Sequence, residues 1–534
     1  MKININHIEG YAYGAVQPSV TLRFLEVTVD VQKHEAGLQK ILDQLPHFED
    51  DHRFFTGDKA IEHATPQVLL ITILDTLNQF CGDQRFTPIR VFDEDRSQCF
   101  SLPTLSTAMS RFNLNAIQVM IKIANKGALS KELAGFLEKQ KRLARQFLPA
   151  GTNAGNFIAA AAKRKIPFKI FNRQHIIFGY GSGSRIFNSS LTDEESVIGV
   201  QLAKSKVDAN RLLKMSGILV AEQARVRTID NALRFAEKVG YPVVLKPEAE
   251  EQGRGVFANI VDESELRDCF ENAYKDYKKL ILENFVAGFS YRVQVHYGQV
   301  IDAWKMMPPC VLGDGHSSIS ELIDIENSKP ERNSINSSLK PIPKDYTTEL
   351  NLKKLGLTFN SCPSLGNEIA LAVTSNESRG GSPQNFISFL HPDIIDLCIQ
   401  ASQTLRLKVA AIDLISEDAA VSWRNKSTAI CEINSQPQIG DLKTYSHIFH
   451  DLLDRLPDQN PKVNLVVSRK FENMSLNIFN KTVSDIVVRV TPRYLLTRGS
   501  PTQFYDELSF EDDISIEDQE MIISMISNVP RAAS

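Results

Sequence analysis

The sequence predicts an α+β chain, and three features carry that reading. Helix-period segments alternate with short β-rich runs through the first half. The later half turns to strand pairs joined by tight turns, as at Tyr297-Gly298, which makes a largely antiparallel sheet the expected partner of the helices. No G-x-G-x-x-G opens a helix, so a doubly wound dinucleotide sheet is not expected. At 534 residues the chain has room for about three or four domains.

Composition narrows the function classes. The chain is 43% hydrophobic and 23% charged with a net charge of −4, so it lacks the basic excess that non-specific nucleic-acid binding needs. The opening MKININHIEGYAYG has no apolar core of a secretory leader. The longest purely apolar run, residues 157–162, is too short to span a bilayer. Seven cysteines without a C-x-x-C fit reduced thiols and no zinc site. A cytoplasmic protein with no membrane and no nucleic-acid partner is expected.

Residues 1–165 read as an N-terminal α+β domain. Residues 20–30 are β-rich, 67–80 and 115–126 have helical spacing, and 131–145 form an amphipathic helix with a basic, solvated end. Residues 166–460 read as the second domain. Its first glycine run, 179–184, has the spacing G-x-G-x-G and is expected to be a hairpin or loop turn. Helices are expected at 204–216, stopped by Gly217, and from a Thr228 cap to Gly240. An apolar strand then delivers Lys246 to its end, stops at Pro247 and enters a loop closing with Gly253-Arg254-Gly255. A helix at 262–276, a strand at 279–285 and a hairpin of 291–295 with 300–306 come next. A turn opens a helix over 313–323, and 326–350 is expected to be a long surface segment. A helix at 392–405 precedes strands at 408–416 and 428–433. Residues 461–534 read as a small extension with one strand-like run, 485–490. Its acidic stretch, 506–520, holds eight acids and no base and is expected to be solvated and partly disordered.

Three sets of residues could carry chemistry. Lys246 with the glycine loop behind it can bring a cation and backbone N–H groups to an anion. Glu283, at the end of LILENF, can accept from the amino group of an adenine. Asp413 interrupts the apolar run AAIDLI, while Glu432 and Asn434 lie two apart on one strand and so share a face. Acids in apolar strands must be paired, neutral or on a metal, and oxygen donors of this kind suit Mg²⁺.

The order of these segments, with GDG at 313–315 and N-x-S-x-G-G at 376–381, resembles the ATP-grasp superfamily and within it the cyanophycin synthetase family. The likeness covers about residues 165–460 and extends more weakly over the first 165. It implies two α+β subdomains clasping ATP, and an ADP-forming ligase joining a carboxylate to an amine. By that resemblance Lys206 and Lys246 face the nucleotide phosphates. Gln252, Gly253, Arg254, Gly255 and Val256 form the loop that closes over them. Glu283 and Phe285 hold adenine, the second through its backbone. Asp413, Glu432 and Asn434 hold magnesium, and Arg292 serves the transferred phosphate and acceptor carboxylate. Asn376, Ser378, Gly380 and Gly381 face the substrate.

Departures from the family pattern accompany the likeness. Ser290 stands where the ribose-holding acid is expected, Ala372 and Val373 replace basic residues, and Met306 beside Lys305 replaces an arginine. Arg379 replaces a threonine inside the substrate loop, where it could restore the lost charge as a second catalytic cation. Residues 461–534 hold no G-x-x-x-x-G-K-[ST] loop, so the family's Mur-ligase-like domain is not expected. ATP and Mg²⁺, amino-acid or peptide substrates and a homo-oligomer are the implied partners. A glutathione-synthetase-like or peptide-tailoring ligase stays open within the enzymes, and an ATP-holding binding protein without turnover stays open outside them.

Overall fold

The computed structural model describes residues 2–8, 10–12, 15–26, 41–42, 45, 55–57, 65–94, 97–125, 129–248, 255–333, 339–372, 379–456, 461–469 and 485–526. They divide into two compact units, one of residues 1–189 with 442–534 and the other of residues 190–441. This partition differs from the sequence-based divisions at 165/166 and 460/461. The physical reason is long-range pairing within the first unit. Tyr11 bridges Ser500, the Tyr11 hydroxyl donates to the Phe168 carbonyl at 2.6 Å, and Gln503 accepts from the Phe168 N–H at 3.1 Å.

The first unit holds a five-stranded sheet in the order Lys2–Ile8, Ser19–Glu26, Ser97–Pro103, Ile89–Glu94, Phe55–Gly57, antiparallel except for the last pair. Its helix Pro66–Phe80 starts as the sequence dictates, with Thr65 capping and Pro66 in the first turn. The closing residues are more ordered than expected. Lys462–Val467 lies between Asp485–Val490 and Glu507–Phe510 in a parallel three-stranded sheet. The acidic stretch is therefore a strand leading into the helix Ile516–Ile526, not a disordered face. Ile514, Ile522 and Met525 hold it down by packing with Val463, Leu465 and Val488.

Asp83 is a buried carboxylate in this unit, 5% exposed. It accepts the N–H groups of Gln84 at 2.9 Å and Leu105 at 2.8 Å, and the Thr104 hydroxyl donates to it. Burial pushes its pKa from 3.8 up to about 7 against those hydrogen bonds, with Asp75 adding to the rise. A raised acid pKa means the folded state holds its proton longer than the unfolded chain. Stability from this group is therefore greatest below pH 3.8, falls as pH rises to about 7 and is constant above. Urea midpoints of the first unit should drop between pH 5 and pH 8 in the wild type, with a clearly smaller drop in Asp83→Asn. Equal slopes in both proteins would refute this.

The second unit is built on two antiparallel sheets. One runs in the order Gln223–Val226, Leu280–Asn284, Val243–Pro247, Phe257–Ile260. Val243, Leu245, Leu280 and Leu282 turn to one face and pack with Ala232, Ala236, Leu266 and Phe270 of the helices Ile229–Val239 and Glu263–Asp276. Thr228 and Asp262 cap those helices through their side chains. The other sheet runs Ser382–Asn385, Gln299–Met307, Phe289–His296, Val409–Ser416, Thr428–Asn434. Tyr291, Val293, Ile412 and Leu414 bury one face against the helix Pro392–Thr404. Tyr297 and Gly298, at φ 49° and 77°, make the hairpin turn, whose geometry needs two left-handed residues.

A smaller cluster pairs Cys310–Leu312 with Glu368–Ala370 under the capped helix Ile319–Ser328. The expected surface segment at 326–350 is shorter than predicted. Pro330–Asn333 and Tyr346–Lys354 are helical, the latter capped by Asp345. Among the described residues no helix is long and apolar enough to cross a membrane.

Candidate active site

Alternation along the strands sorts the second unit's residues into core and site. On the first sheet Val244 and Lys246 turn away from the apolar core, and Val244 lies opposite Glu283. The ammonium of Lys246 meets the Glu283 carboxylate at 2.6 Å, both side chains nearly buried at 12% and 8% exposure. On the second sheet Arg292 lies directly between Trp304 and Asp413, on the face opposite the Tyr291 core. Its guanidinium grips Asp413 with both prongs, Nε to Oδ1 at 2.9 Å and Nη2 to Oδ2 at 3.1 Å. The Asn434 amide donates to the same Oδ2 at 3.0 Å.

Asp413 pairs with Glu432 in register, but the next pair is Leu414 with Ile430. Cys431 is the extra residue of this bulge. A bulge re-aims the side chains beside it, and sequence pattern alone carried no signal of it. Lys206 opens the helix Lys206–Met215, capped by Ser205, and its ammonium stands 4.0 Å from Glu432.

Known proteins resemble parts of this chain in sequence. Residues 205–343 match the family model for "Carbamoyl-phosphate synthase L chain, ATP binding domain". Over 326 residues the chain is 30% identical to a cyanophycin synthetase of Trichormus variabilis, covering 60% of this chain and 36% of that one. It is 26% identical over 289 residues to the glutathione biosynthesis bifunctional protein of Clostridium perfringens, covering 53% and 37%. The second unit carries an ATP-grasp domain. The chain spans about a third of the length of the cyanophycin synthetases it matches. A bifunctional glutathione synthetase from Pasteurella multocida aligns over 82% of this chain and 81% of its own at 15% identity, with a TM-score of 0.42.

Electrostatics tie the two sheets of the ATP-grasp domain together. Burial pulls the pKa of Lys246 down, while Glu283, Cys431 and Glu432 raise it, and the sum is upward, so the ammonium keeps its proton. Burial lifts Glu432, Lys206 pulls it down and Asp413 lifts it again, for a net rise. Lys246 and Arg292 also act on Glu432. Lys206, Lys246, Arg292 and Asp413 therefore all act on Glu432, which lies at the centre of the charged site. Burial drives the Cys431 thiol up to about 12 despite Lys246 beside it, so it stays protonated and is no nucleophile.

The described residues fit a divalent cation. No three His, Cys, Asp or Glu side chains converge among them, so the candidate set is two carboxylates and an amide. Two half-buried carboxylates facing each other across paired strands repel, and a cation between them would relieve that. Mg²⁺ takes few protein oxygens and completes its shell with phosphate and water.

Of the remaining predicted residues, Gln252, Gly253, Arg254, Asn376 and Ser378 fall outside the described residues. Gly255 has φ +68°, and a Cβ there would stand 2.6 Å from the Tyr277 ring and 2.9 Å from Pro247, so this position takes only glycine; Val256 is its neighbour. The Phe285 N–H donates to the Pro242 carbonyl at 3.0 Å, so a backbone contact from Phe285 to a base has to use its carbonyl. Arg379 grips both oxygens of Asp345 at 2.9 and 2.8 Å, tying the segment before Gly380-Gly381 to a helix cap. Gly380 abuts Ile342 and Arg332, and its φ of +90° suits glycine. Lys305, beside Met306, lies 3.6 Å over the ring of Phe289.

Proposed function

We propose that this chain is an ATP-dependent carboxylate–amine ligase working on an amino acid or peptide. The observation that carries the reading is the meeting of Lys206, Lys246 and Arg292 with Asp413, Glu432 and Asn434 inside one ATP-grasp domain. Three cations beside two carboxylates suit a reaction in which charge moves over phosphoryl oxygens. In this reading the substrate carboxylate attacks the γ-phosphorus of ATP and ADP leaves, giving an acyl phosphate. The amine then attacks the acyl carbon, phosphate departs with the carbon–oxygen bond, and the amine proton is lost to solvent or phosphate.

Lys206 and Lys246 hold the phosphates and offset their charge. Asp413, Glu432 and Asn434 would hold Mg²⁺, which when bound draws charge from the phosphoryl oxygens. Glu283 positions Lys246 and borders the adenine. Arg292 orients the acid and offsets the charge of the acyl phosphate. No protein nucleophile is required. Loop residues 252–256 would exclude water, which otherwise hydrolyses the acyl phosphate.

The test is ADP and phosphate release by the purified protein against panels of amino-acid and peptide pairs. ADP formation that requires an acid, with amide product that requires the amine as well, is the expected result. ATP binding without turnover on any pair would instead identify a nucleotide-holding binding protein.

A further inference from the structure

Asp413 stands between two uses that compete for the same oxygens. Its Oδ1 accepts from Arg292 Nε, and its Oδ2 accepts from Arg292 Nη2 and Asn434 Nδ2. A fork-on guanidinium fills the edge of the carboxylate where its lone pairs are best aligned. Asn434 presents its NH₂, which can only donate, while a metal ligand must present oxygen. A guanidinium and a divalent cation on one carboxylate also repel at close range. The arrangement is therefore a closed latch, and loading the cation has to undo it.

We propose that Arg292 and the divalent cation exchange on Asp413. Without the cation, Arg292 and the Asn434 amide hold the carboxylate. With the cation loaded, Arg292 swings off toward the acid substrate and Asn434 turns its oxygen inward. Arg292 can make this move because it is 32% exposed and Asp413 24% exposed. Lys246 differs: its partner Glu283 is no part of the candidate metal set, so its ion pair survives loading. The exchange orders the reaction, since the acid meets a guanidinium released from Asp413 only after metal and nucleotide are in place. It rests on the ligase reading for the identity of the cation.

Linkage makes the exchange measurable without turnover, because whatever the cation costs the Arg292 pair, the pair costs the cation. Mn²⁺ is titrated into the full-length protein at saturating ADP, with bound Mn²⁺ read by electron paramagnetic resonance. Arg292→Lys keeps the charge and loses the fork, and should bind Mn²⁺ at least about fivefold more tightly than wild type. Arg292→Gln should bind as tightly or more so, and Asp413→Asn should lose the site. Trp304, opposite Arg292 on the neighbouring strand, supplies a second readout, since its emission should change on loading in wild type and not in Arg292→Lys. Wild-type affinity in Arg292→Lys would overturn the exchange while leaving the ligase reading intact. No difference between wild type and Asp413→Asn would overturn the metal set and the ligase reading with it.

Discussion

Lys246→Ala should lower ADP formation by about a hundred- to a thousandfold, the usual cost of removing one preorganised charge donor from a developing anion. The substitution has a second consequence that must be separated from the first. Lys246 and Glu283 are nearly buried and 2.6 Å apart, so removing the lysine strands a buried carboxylate beside Val244 on the site face of the sheet. Breaking a buried pair from one side costs about 3–5 kcal/mol. The single variant should therefore also melt earlier. Adding Glu283→Gln removes the stranded charge and should return most of the lost stability. It should return none of the activity, because the phosphate-facing cation is still missing. Thermal midpoints and ADP release on both variants check this, and near wild-type turnover in Lys246→Ala would sink the assignment.

Asp413→Asn should act the other way round, with a large effect on activity and a small one on stability. The Arg292–Asp413 pair is partly open to water, so losing it costs no more than about 1 kcal/mol. Turnover should nonetheless fall about a thousandfold, since Asp413 is one of two carboxylates in the candidate metal set and the charge stabilisation at stake is several kcal/mol. The Mg²⁺ concentration needed for half-maximal rate should rise at least about tenfold in any residual activity. A wild-type melting point with wild-type Mg²⁺ dependence would show that Asp413 serves only as a partner for Arg292.

Much of the ATP-grasp domain was legible because its signals are local. Thr228 and Asp262 cap helices where hydroxyl and carboxylate precede apolar periodicity, and Tyr297-Gly298 turns a hairpin between alternating runs. Residues 326–350 misled because short capped helices such as Tyr346–Lys354 bury little and leave weak periodicity. The acidic stretch 506–520 misled more strongly. Its order comes from Ile514, Ile522 and the parallel pairing of Glu507–Phe510 with residues 464–467, a partner some forty residues away that no local window contains. Arg379 read as a second catalytic cation, and the contact of its Nη2 with both oxygens of Asp345 depends on two segments meeting in space.

Lys246 at the end of its strand and the acid-bearing late strands were legible in the sequence alone. A charged residue that interrupts an apolar strand has few physical options, and the order in which such strands succeed one another limits them further. Only the tertiary structure decided which charge each residue leans on. Lys246 rests on Glu283, Arg292 and Asn434 close on Asp413, and a bulge at Cys431 sets the register of Glu432. Pairing across strands depends on register, and a one-residue bulge changes it without altering the pattern of apolar and polar residues that a sequence displays.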